Sequence, residues 1–482
     1  MKKFIKIFLI SFLSLLGVLI MAISVVIWIV FTPARITPIV RKQAAKYITC
    51  KSEIGSVELT FFSTFPNFGL KVSDFALINP VAGSMSDTLV SVNELVGVID
   101  ARAYWKRKEI NLIGLQITGG TVNVYADSLG HSNYNIMPAD TNSATAAASD
   151  TVLPFIDIRN VELKDISLHY NDLSLKLNTV IRNLSAKIDG KISHDSISGN
   201  VTANTSILSI EYGKENEKLN TEIRDLSTKI SGSAFGDNLS GNVTVNTSMI
   251  SLEYGKDKEK LNSEIRDLSA KISGTVSGDN IKGNVKASSS MISLDYAGEK
   301  YLQQASLQLD LPIDVISSHQ FITLKNATAS INDMELLLNG TIENDTVSKN
   351  INTDLTYKLT SWPFKKFQAI VPPSFQPYFD GINADGFLSS DGSIKGVYND
   401  LRYPLMDIHV VYEKGTLTYS SFPLALHDAD GDFTIYTDLT SDALSFVRIN
   451  RFTAKTPQSA FSTKGMITHL FKDITCDLTT NG

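Results

Sequence analysis

The chain has 482 residues, which is enough for two or more domains with buried cores. Its 44 Lys and Arg against 50 Asp and Glu give a formal net charge of -6, which argues against nucleic acid as a partner. The cysteines, Cys50 and Cys476, are too far apart in sequence for a disulfide framework or a metal-site motif. We therefore expect no metal and no cofactor.

The N-terminal segment 7–31, IFLISFLSLLGVLIMAISVVIWIVF, contains no charged residue. As a helix it would measure about 37 Å, more than the ~30 Å hydrocarbon core of a bilayer. This run is too long for a typical signal peptide, and no small-residue cleavage motif follows it. We predict an uncleaved membrane anchor, and the preceding Lys2, Lys3 and Lys6 favour a cytoplasmic N-terminus with export of the remaining chain.

A short helix is predicted just after this segment, because Ile36, Ile39, Val40 and Ala44 recur at helical spacing. Other positions of this helix carry basic residues, which are Arg35, Arg41, Lys42 and Lys46. These cations would allow the helix to rest on anionic lipid headgroups. Alternatively the helix caps the end of a sheet, and the sequence favours neither interpretation.

Strand patterns begin at Ser52. Alternating apolar and polar residues predict strands in EIGSVEL, FGLKVSDFALI, DTLVSVNELVGVID and KEINLIGLQITGGTVNVYAD. The polar stretch DTNSATAAASD that follows has no period and predicts a loop or linker. The regions are accordingly placed at 1–31, 32–140, 141–150, 151–303 and 304–482.

Three tandem units of 42 residues occupy 170–295, and the second and third are identical at 28 of 42 positions. Each unit contains two strand-like runs, such as KLNSEIRDLSAKISG and GNVTVNTSMISLEY, joined by turn-rich pieces. Helical periodicity and the GH…WD pattern of propeller blades are both missing. The repeats therefore predict an antiparallel meander that duplication has lengthened.

The apolar residues of each long run change phase once. Leu261 and Ile265 occupy odd positions, whereas Leu268 and Ile272 occupy even ones. A β-bulge absorbs such a change without moving side chains to the opposite face. Bulges at matching places predict a curved antiparallel sheet, an open groove with one continuous apolar face. The residues expected to line it are Ile223, Leu226, Ile230, Ile265, Leu268, Ile272, Val243, Val285, Ile250, Leu252, Ile292 and Leu294.

Strand patterns continue beyond residue 304, interrupted by an aromatic, more helical insert near 361–379, SWPFKKFQAIVPPSFQPYF. The chain stops in DITCDLTTNG with no capping element, which would leave an open sheet edge. This ending suggests a fragment of a longer protein. The fold class expected for the whole chain is mainly β, with one N-terminal transmembrane helix and a few short helices.

Motifs that carry chemistry are missing from the sequence. Its histidines are scattered singly, and no zinc-protease, nucleophile-elbow or phosphate-loop motif occurs. HDADGDF, residues 427–433, lacks the distal Glu of a calcium loop, so its Asp-Gly predicts a hairpin turn. The pairs Arg224–Asp225 and Arg266–Asp267 predict a cross-strand charge ladder rather than catalytic groups. We therefore predict that the protein is not an enzyme.

Two stretches carry a family resemblance. SVELTFFSTFPNFGLKVSDFALINP contains a Phe-Pro that leads into a strand, and INLIGLQITGGTVNVYADSLGHSNYNIM looks like a strand pair ending in Gly-x-x-Asn. The matching positions are Phe65, Pro66, Leu70, Val72 and Asp74, then Gly130 and Asn133. Together with the anchor and the short helix, residues 1–140 resemble the AsmA-like family of Gram-negative envelope proteins. The 42-residue repeats are not part of this resemblance.

The resemblance implies an inner-membrane protein with its bulk in the periplasm and a role in outer-membrane biogenesis. It also implies phospholipid acyl chains as partners, since longer relatives are thought to conduct lipids along an apolar groove. Exposing the ~30 methylenes of a diacyl lipid to water costs about 25 kcal/mol at ~0.8 kcal/mol each. A curved apolar sheet would shelter these tails while the headgroups remain in water.

Two other functions remain open at this point. The chain could be an assembly or regulatory factor for outer-membrane proteins, binding outer-membrane or periplasmic proteins through an open sheet edge. It could also be a structural envelope domain whose apolar face forms a dry core. A second sheet covering the apolar face would distinguish this last possibility from a lipid groove.

Overall fold

The structure is a computed structural model that describes residues 32–60, 64, 66–107, 112–136, 160–193, 196–214, 217–256, 259–368, 371, 376–377, 379–470 and 472–482. Strands make up most of the described residues, which confirms the mainly β fold class. The proposed anchor, Phe65 and the linker at 141–150 lie outside the described residues. Of the helices that the structure describes, none is both long and apolar enough to cross a membrane.

Three α-helices and twenty-two strands occur in the described part of the chain. The helices are α1 Pro33–Tyr47, α2 Ala101–Arg107 and α3 Phe364–Gln368. The first strands are β1 Ser52–Thr60, β2 Phe68–Ile78, β3 Thr88–Ile99, β4 Leu112–Ala126, β5 Asn160–Asp172, β6 Leu177–Ser193 and β7 Ser196–Lys214. The strands of the repeats and those just after them are β8 Glu217–Phe235, β9 Asn238–Tyr254, β10 Leu261–Ser277, β11 Asn280–Tyr296, β12 Glu299–Ile316, β13 Phe321–Ile331, β14 Met334–Asp345 and β15 Asn350–Pro363. The last strands are β16 Ile382–Ala384, β17 Phe387–Tyr398, β18 Leu405–Tyr419, β19 Phe422–Thr437, β20 Phe446–Lys455, β21 Ala460–Thr468 and β22 Thr475–Asn481.

The chain forms two compact units, residues 1–212 and 213–482. In the first unit β1 to β7 pair in chain order. Every pair is antiparallel except β4 with β5, which run parallel. The antiparallel expectation is therefore wrong at this pair. The connection of 127–159 is long enough to return the chain to the end of the sheet where β4 began, as parallel pairing requires.

In the second unit β8 to β15 pair in chain order and antiparallel. β15 then pairs with β17, and the order continues to β22, while short β16 pairs with the end of β18. This pairing confirms the predicted antiparallel meander. Among the described residues, the first and last strands of each unit do not pair with each other, so each sheet is open.

In each repeat, one long strand (β6, β8 or β10) contains a single residue in the left-handed backbone region. These residues are Asn183, Asp225 and Asp267, with φ of 55°, 51° and 51°. Asn and Asp tolerate this conformation better than other side chains that have a Cβ. Asp267 lies where the apolar phase changes, but the structure has a left-handed bend there and not the predicted bulge, since no extra residue is inserted relative to β9 or β11. The pairing register is the same on both sides of it, because β9 changes phase at the same level as β10.

Two hydroxyl groups close each of these bends. The Arg224 carbonyl accepts hydrogen bonds from Thr247 Oγ1 at 2.6 Å and from Ser248 Oγ at 3.2 Å. Ser248 Oγ also lies 2.7 Å from the Asp225 carboxylate. We term this set the hydroxyl clasp. Its counterparts are Arg182, Asn183, Thr205 and Ser206 in the preceding repeat and Arg266, Asp267, Ser289 and Ser290 in the following one. The clasp gives the Arg224 carbonyl hydrogen-bond donors at the bend, where the hydrogen-bond ladder between the strands is interrupted.

The predicted cross-strand ladder of Arg and Asp is wrong. Arg224 Nε donates to Glu222 Oε1 of its own strand at 2.6 Å, and the equivalent Arg266 donates to Glu264 at 2.5 Å. The neighbouring Asp225 carboxylate accepts from a serine instead. The repeated aspartate therefore serves the backbone bend and its clasp rather than an ion pair with arginine.

The HDADGDF stretch lies inside β19, so the hairpin turn predicted there is also wrong. Asp428, with φ of 50°, bends the strand and pairs with Lys455 at 3.0 Å. The other two carboxylates bind different groups, since Asp430 accepts from the Lys414 backbone N–H and Asp432 from Asn450. In the described part of the chain, no group of three or more His, Cys, Asp or Glu is placed to hold a metal ion.

The strand pair expected within 110–137 is the single strand β4, which bends at Gly119 with φ of 59°. The Gly-x-x-Asn motif closes its end. Fully buried Asn133 accepts from the Tyr125 N–H at 2.9 Å and donates to the Asn123 carbonyl at 2.8 Å. This asparagine therefore fastens the segment after β4 to the strand itself.

The left-handed bend gives a stability prediction. We expect Asp267→Val to destabilise the second unit by about 1–2 kcal/mol, because a β-branched residue is strained at positive φ. Asp267→Gly should be far milder, since glycine adopts this conformation freely. Urea unfolding followed by circular dichroism, with amide exchange in β10, measures the difference. Lys271→Val, on the same strand but away from the bend, is the control. Equal stability of the two Asp267 variants would contradict the role of the bend.

Candidate functional site

The strand register of the second unit gathers apolar residues on one side of the sheet. Ile265 pairs with Ile250 and Ile292, and directly paired residues lie on the same face. Beyond the bend, Leu268 pairs with Thr247, while Arg266 and Asp267 are both exposed. The two apolar phases of the sequence therefore lie on one face. The sequence alone left open which phase would face inward, and in the structure both phases lie on the same side of the sheet.

All twelve residues predicted to line the groove lie on this side of β8 to β11. None of them is fully buried. Ile230 and Ile272, which occupy equivalent positions in two repeats, are 42% and 47% exposed. These aliphatic side chains thus touch one another within the sheet and still present surface to solvent.

The same face extends across the strands that follow the repeats. Ile292 pairs with Ala305, and Val285 pairs with Leu311. β12 contributes Leu302, Leu307, Leu309, Leu311, Ile313 and Val315 to it, and β13 to β15 add Ile322, Leu324, Leu336, Leu338, Leu355 and Leu359. From β8 to β15, the register positions of this side, which we term the apolar face, carry one charged residue, Glu299, which is paired with Tyr296 at the end of the strands.

Small side chains line the bends on the apolar face. Ala305 and Ala327, each directly after a left-handed residue, are 3% and 0% exposed, and Thr247 and Ser289 of the clasps are both 5% exposed. The longer aliphatic residues on either side are only partly buried. We infer that these strands fold towards the apolar face along the line of bends. Small residues fit the bottom of such a trough, while Leu and Ile form its walls.

Among the described residues of the second unit, a packed layer over this side of the sheet is found beyond β15, around β18 and β19. There Phe364 of α3 packs against Tyr412 with ring centroids 5.6 Å apart, beside the buried Ala429 and Ala454. Burial raises the pKa of Tyr412 to about 12, and its hydroxyl donates to the Asp385 carbonyl.

Among the described residues of the insert predicted near 361–379, α3 is the one α-helix. No cluster of buried hydrophobic residues is found in the described part of β8 to β11.

The opposite side of these strands is polar. Lys286 pairs with Asp310 at 2.8 Å, and with Lys271 and Glu335 these groups line a depression of about 460 Å³. Further along, His409 lies between Asp391 at 3.2 Å and Asp432 at 3.1 Å. The hydrogen bond with Asp391 is the main cause that raises the pKa of His409. Charges and hydroxyls thus occupy one side of the sheet and aliphatic groups the other.

In the first unit, α1 caps the free edge of β1. The Val57 N–H donates to Thr37 Oγ1 at 3.0 Å, and the Arg41 guanidinium donates to the Ile54 carbonyl. The apolar stripe of α1, formed by Ile36, Val40 and Ala44, packs against buried residues of β1 and β2. The sheet-capping interpretation of this helix is therefore confirmed, and Arg41 takes part in it.

The outer side of α1 remains exposed. Arg35, Ile39 and Lys42 follow one another at i, i+4 and i+7, which places them on one stripe of the helix. Ile39 is 62% exposed between the two cations. The side chain of Lys46 lies outside the described residues. Sheet capping and an outward basic stripe therefore coexist on this helix.

Comparison with known proteins identifies one family. The model of the AsmA family matches residues 1–364. A search of curated proteins and a search of solved structures both give no match. The matched range is longer than the 1–140 expected from the motifs. It includes the three repeats and the strands up to the start of α3.

The repeats give a prediction about chain length. Deleting residues 255–296 removes β10 and β11 and joins Tyr254 to Ala297, the residue that normally follows the equivalent Tyr296. Because β9 then stands where β11 stood, it should pair with β12 in the same register. The apolar face should become about 10 Å shorter, at ~4.8 Å per strand. We expect folding and amide-exchange protection of β9 and β12 to persist.

The control deletion also removes 42 residues, but the segment that it removes is not a repeat unit. Removing residues 299–340 joins strands whose sequences are not equivalent, and we expect loss of protection around the junction. Circular dichroism with thermal unfolding compares both deletions with the intact chain. Equal damage by the two deletions would contradict the equivalence of the repeats.

Proposed function

The chain belongs to the AsmA family, and from this premise we propose that it shields phospholipid acyl chains on its apolar face. The observation that carries the proposal is that, apart from Glu299 at the end of the strands, this face carries no charge in β8 to β15, and that its aliphatic side chains are partly exposed. The lipid would be held or passed along the face in support of outer-membrane biogenesis. The proposal includes no step in which a bond is made or broken, so no residue has a catalytic role.

The physical argument is that apolar side chains on this face are exposed to water, which is unfavourable. A contiguous apolar surface of many half-exposed Ile, Leu and Val side chains attracts a partner or promotes aggregation. An acyl chain supplies the same chemistry, and each methylene removed from water contributes about 0.8 kcal/mol. Because dispersion and burial are non-directional, the lipid can slide along the face without breaking specific bonds. A line of similar aliphatic residues therefore suits transfer as well as storage.

The proposed setting is the inner membrane. Segment 7–31 would form its anchor and the remaining chain would lie in the periplasm, as the sequence predicts. α1 begins two residues after this segment, so its outward stripe of Arg35, Ile39 and Lys42 would lie at the membrane surface. Anionic headgroups complement the two cations, while Ile39 suits the boundary between headgroups and acyl chains. Arg41 would contribute less, since its guanidinium already binds the sheet.

A second candidate function is assembly or regulation of outer-membrane proteins by polypeptide binding. One observation favours it. β22 pairs with β21 alone among the described residues, and all seven of its residues are exposed. A free strand edge can accept an extended peptide by main-chain hydrogen bonds. This function uses the edge of the sheet, whereas lipid shielding uses its face, so one experiment can separate them.

Photo-crosslinking in cells tests the proposed function on the full chain. With benzoylphenylalanine in place of Leu268, on the apolar face, we expect adducts whose mass is that of a phospholipid. The neighbouring Ser269, which pairs with Asn246 on the polar side at 2.8 Å, is the control position and should give none. Polypeptide adducts without lipid at Leu268 would contradict the proposal. Such a result would favour the second candidate.

A charge variant extends this test. Ile230→Glu with Ile272→Glu places two carboxylates on the apolar face, and the lipid adducts at Leu268 should fall at least about tenfold, because desolvating a carboxylate costs several kcal/mol. Lys229→Glu with Lys271→Glu introduces two glutamates one residue earlier in each strand, on the polar side. Lipid adducts should remain unchanged in this second variant. An equal fall in both would indicate a general effect of charge or folding.

The membrane contact of α1 is tested separately. A nitroxide amino acid at Ile39 of the full chain, reconstituted in bilayers, should become accessible to oxygen rather than to water-soluble nickel complexes when anionic lipid is added. Arg35→Glu with Lys42→Glu should abolish this change, since the cations provide the attraction. A nitroxide at Ala34, off the stripe, is the control. A label at Ile39 that stays in water with anionic lipid would contradict the contact.

A further inference from the structure

The two ends of the repeat strands carry different residues. One end, which we term the tyrosine rim, is formed by Lys218, Tyr254, Lys256, Lys260 and Tyr296. The hairpin ends meet there, because Gly255 N donates to the Lys218 carbonyl and Ala297 N donates to the Lys260 carbonyl, both at 3.0 Å. The rim is therefore one continuous edge in the second unit, with one copy of its sequence per repeat.

The register places both tyrosines of this rim on the apolar face. Tyr254 is paired with Leu219 and Leu261, and Tyr296 is paired with Leu261 from the other side. They are 44% and 43% exposed. Tyrosine has an apolar ring and a polar hydroxyl, and it is enriched where hydrocarbon meets water. The two rings thus mark the place where the apolar face ends and the solvent begins.

Charges of both signs accompany these tyrosines. Lys260 pairs with Glu253 at 3.2 Å, whereas Lys218 and Lys256 have no ion-pair partner among the described residues. Carboxylates lie at the same rim, with Glu259 and Glu299 exposed. Ammonium groups beside exposed carboxylates complement a group that itself carries a phosphate and an ammonium.

The opposite ends of the same strands differ in charge. Residues 233–240 and 275–282, all within the described part, include Asp237 and Asp279, and their one cation, Lys282, pairs with Asp314 at 3.6 Å. Leu239, at that end of β9 and on the apolar face, is 51% exposed. Because Lys282 is already neutralised by Asp314, the carboxylates of Asp237 and Asp279 make this end unfavourable for a phosphate. The two ends therefore do not offer equivalent places for a phospholipid headgroup.

We propose that the tyrosine rim is the headgroup-binding edge of the apolar face, and that it selects phospholipids whose headgroup carries both a phosphate and an ammonium. This inference rests on the proposed function, since it requires acyl chains on the apolar face. Lys218, Lys256 and the two tyrosine hydroxyls face the phosphate, and Glu259 and Glu299 face the ammonium. The acyl chains extend from this rim towards the line of bends and Leu239.

Crosslinking from the two ends of β9 tests the orientation in the full chain. Benzoylphenylalanine replaces either Tyr254 or Leu239, and alkaline hydrolysis then cleaves the ester bonds of any lipid adduct. Attachment through the headgroup leaves glycerophosphoethanolamine on the peptide, whereas attachment through a tail leaves a fatty acid. We expect the first mass shift at Tyr254 and the second at Leu239. Leu268, at the bend, should also retain fatty acid and reports whether lipid is present.

The outcomes separate this inference from the proposed function. Headgroup mass at Leu239, or equally at both ends, overturns the inference, while fatty acid at Leu268 leaves the proposed function standing. No lipid at any of the three positions overturns both. Lys218→Glu with Lys256→Glu should cause loss of most headgroup adduct at Tyr254, whereas Lys229→Glu with Lys271→Glu on the polar side should not. Persistence of the headgroup adduct in the rim variant also overturns the inference.

Discussion

The structure of the repeat sheet depends on one backbone constraint, a single left-handed residue in alternate strands. At Asp225 and Asp267 the positive φ places two successive residues on the polar side. The apolar residues before and after the bend consequently stay on one face. Without this conformation, strands of 17 residues with these sequences would divide their Ile and Leu between both sides. One uncharged face therefore follows from the dihedral angle of one residue in each repeat.

The hydroxyl clasp explains why the repeats also retain small polar residues. A bend interrupts the ladder and leaves a carbonyl without its strand partner. Thr247 and Ser289 bind these carbonyls from the buried side of the bend, and each hydroxyl also reaches a second carbonyl of its own strand. Since the whole arrangement recurs every 42 residues, a duplicated unit brings its own bend and its own clasp. Duplication could therefore lengthen the sheet without disturbing the strands already present.

Much of this architecture could be predicted from the sequence because strand periodicity is local. The phase change between Ile265 and Leu268 indicated an irregularity, and a left-handed bend at Asp267 lies there in place of the predicted bulge. The parallel pairing of β4 and β5 could not be predicted, since it depends on the path of a connection rather than on a strand pattern. The clasp was missed because its partners are 23 residues apart, although its signal, a hydroxyl pair after each Arg-Asp, was present in the repeats.

In the second unit, the part of the sheet that is packed against other residues differs from the part proposed to bind lipid. Around Tyr412 the apolar face is packed by aromatic residues and resembles an ordinary protein core. In the described residues of β8 to β11 the same face lacks both charge and a packed layer, so its aliphatic groups gain nothing further from folding alone. Selection for stability would fill such a surface, whereas selection for binding hydrocarbon would keep it open. The repeats multiply the open part, and this is why function is best assigned to the area of the sheet rather than to any single residue.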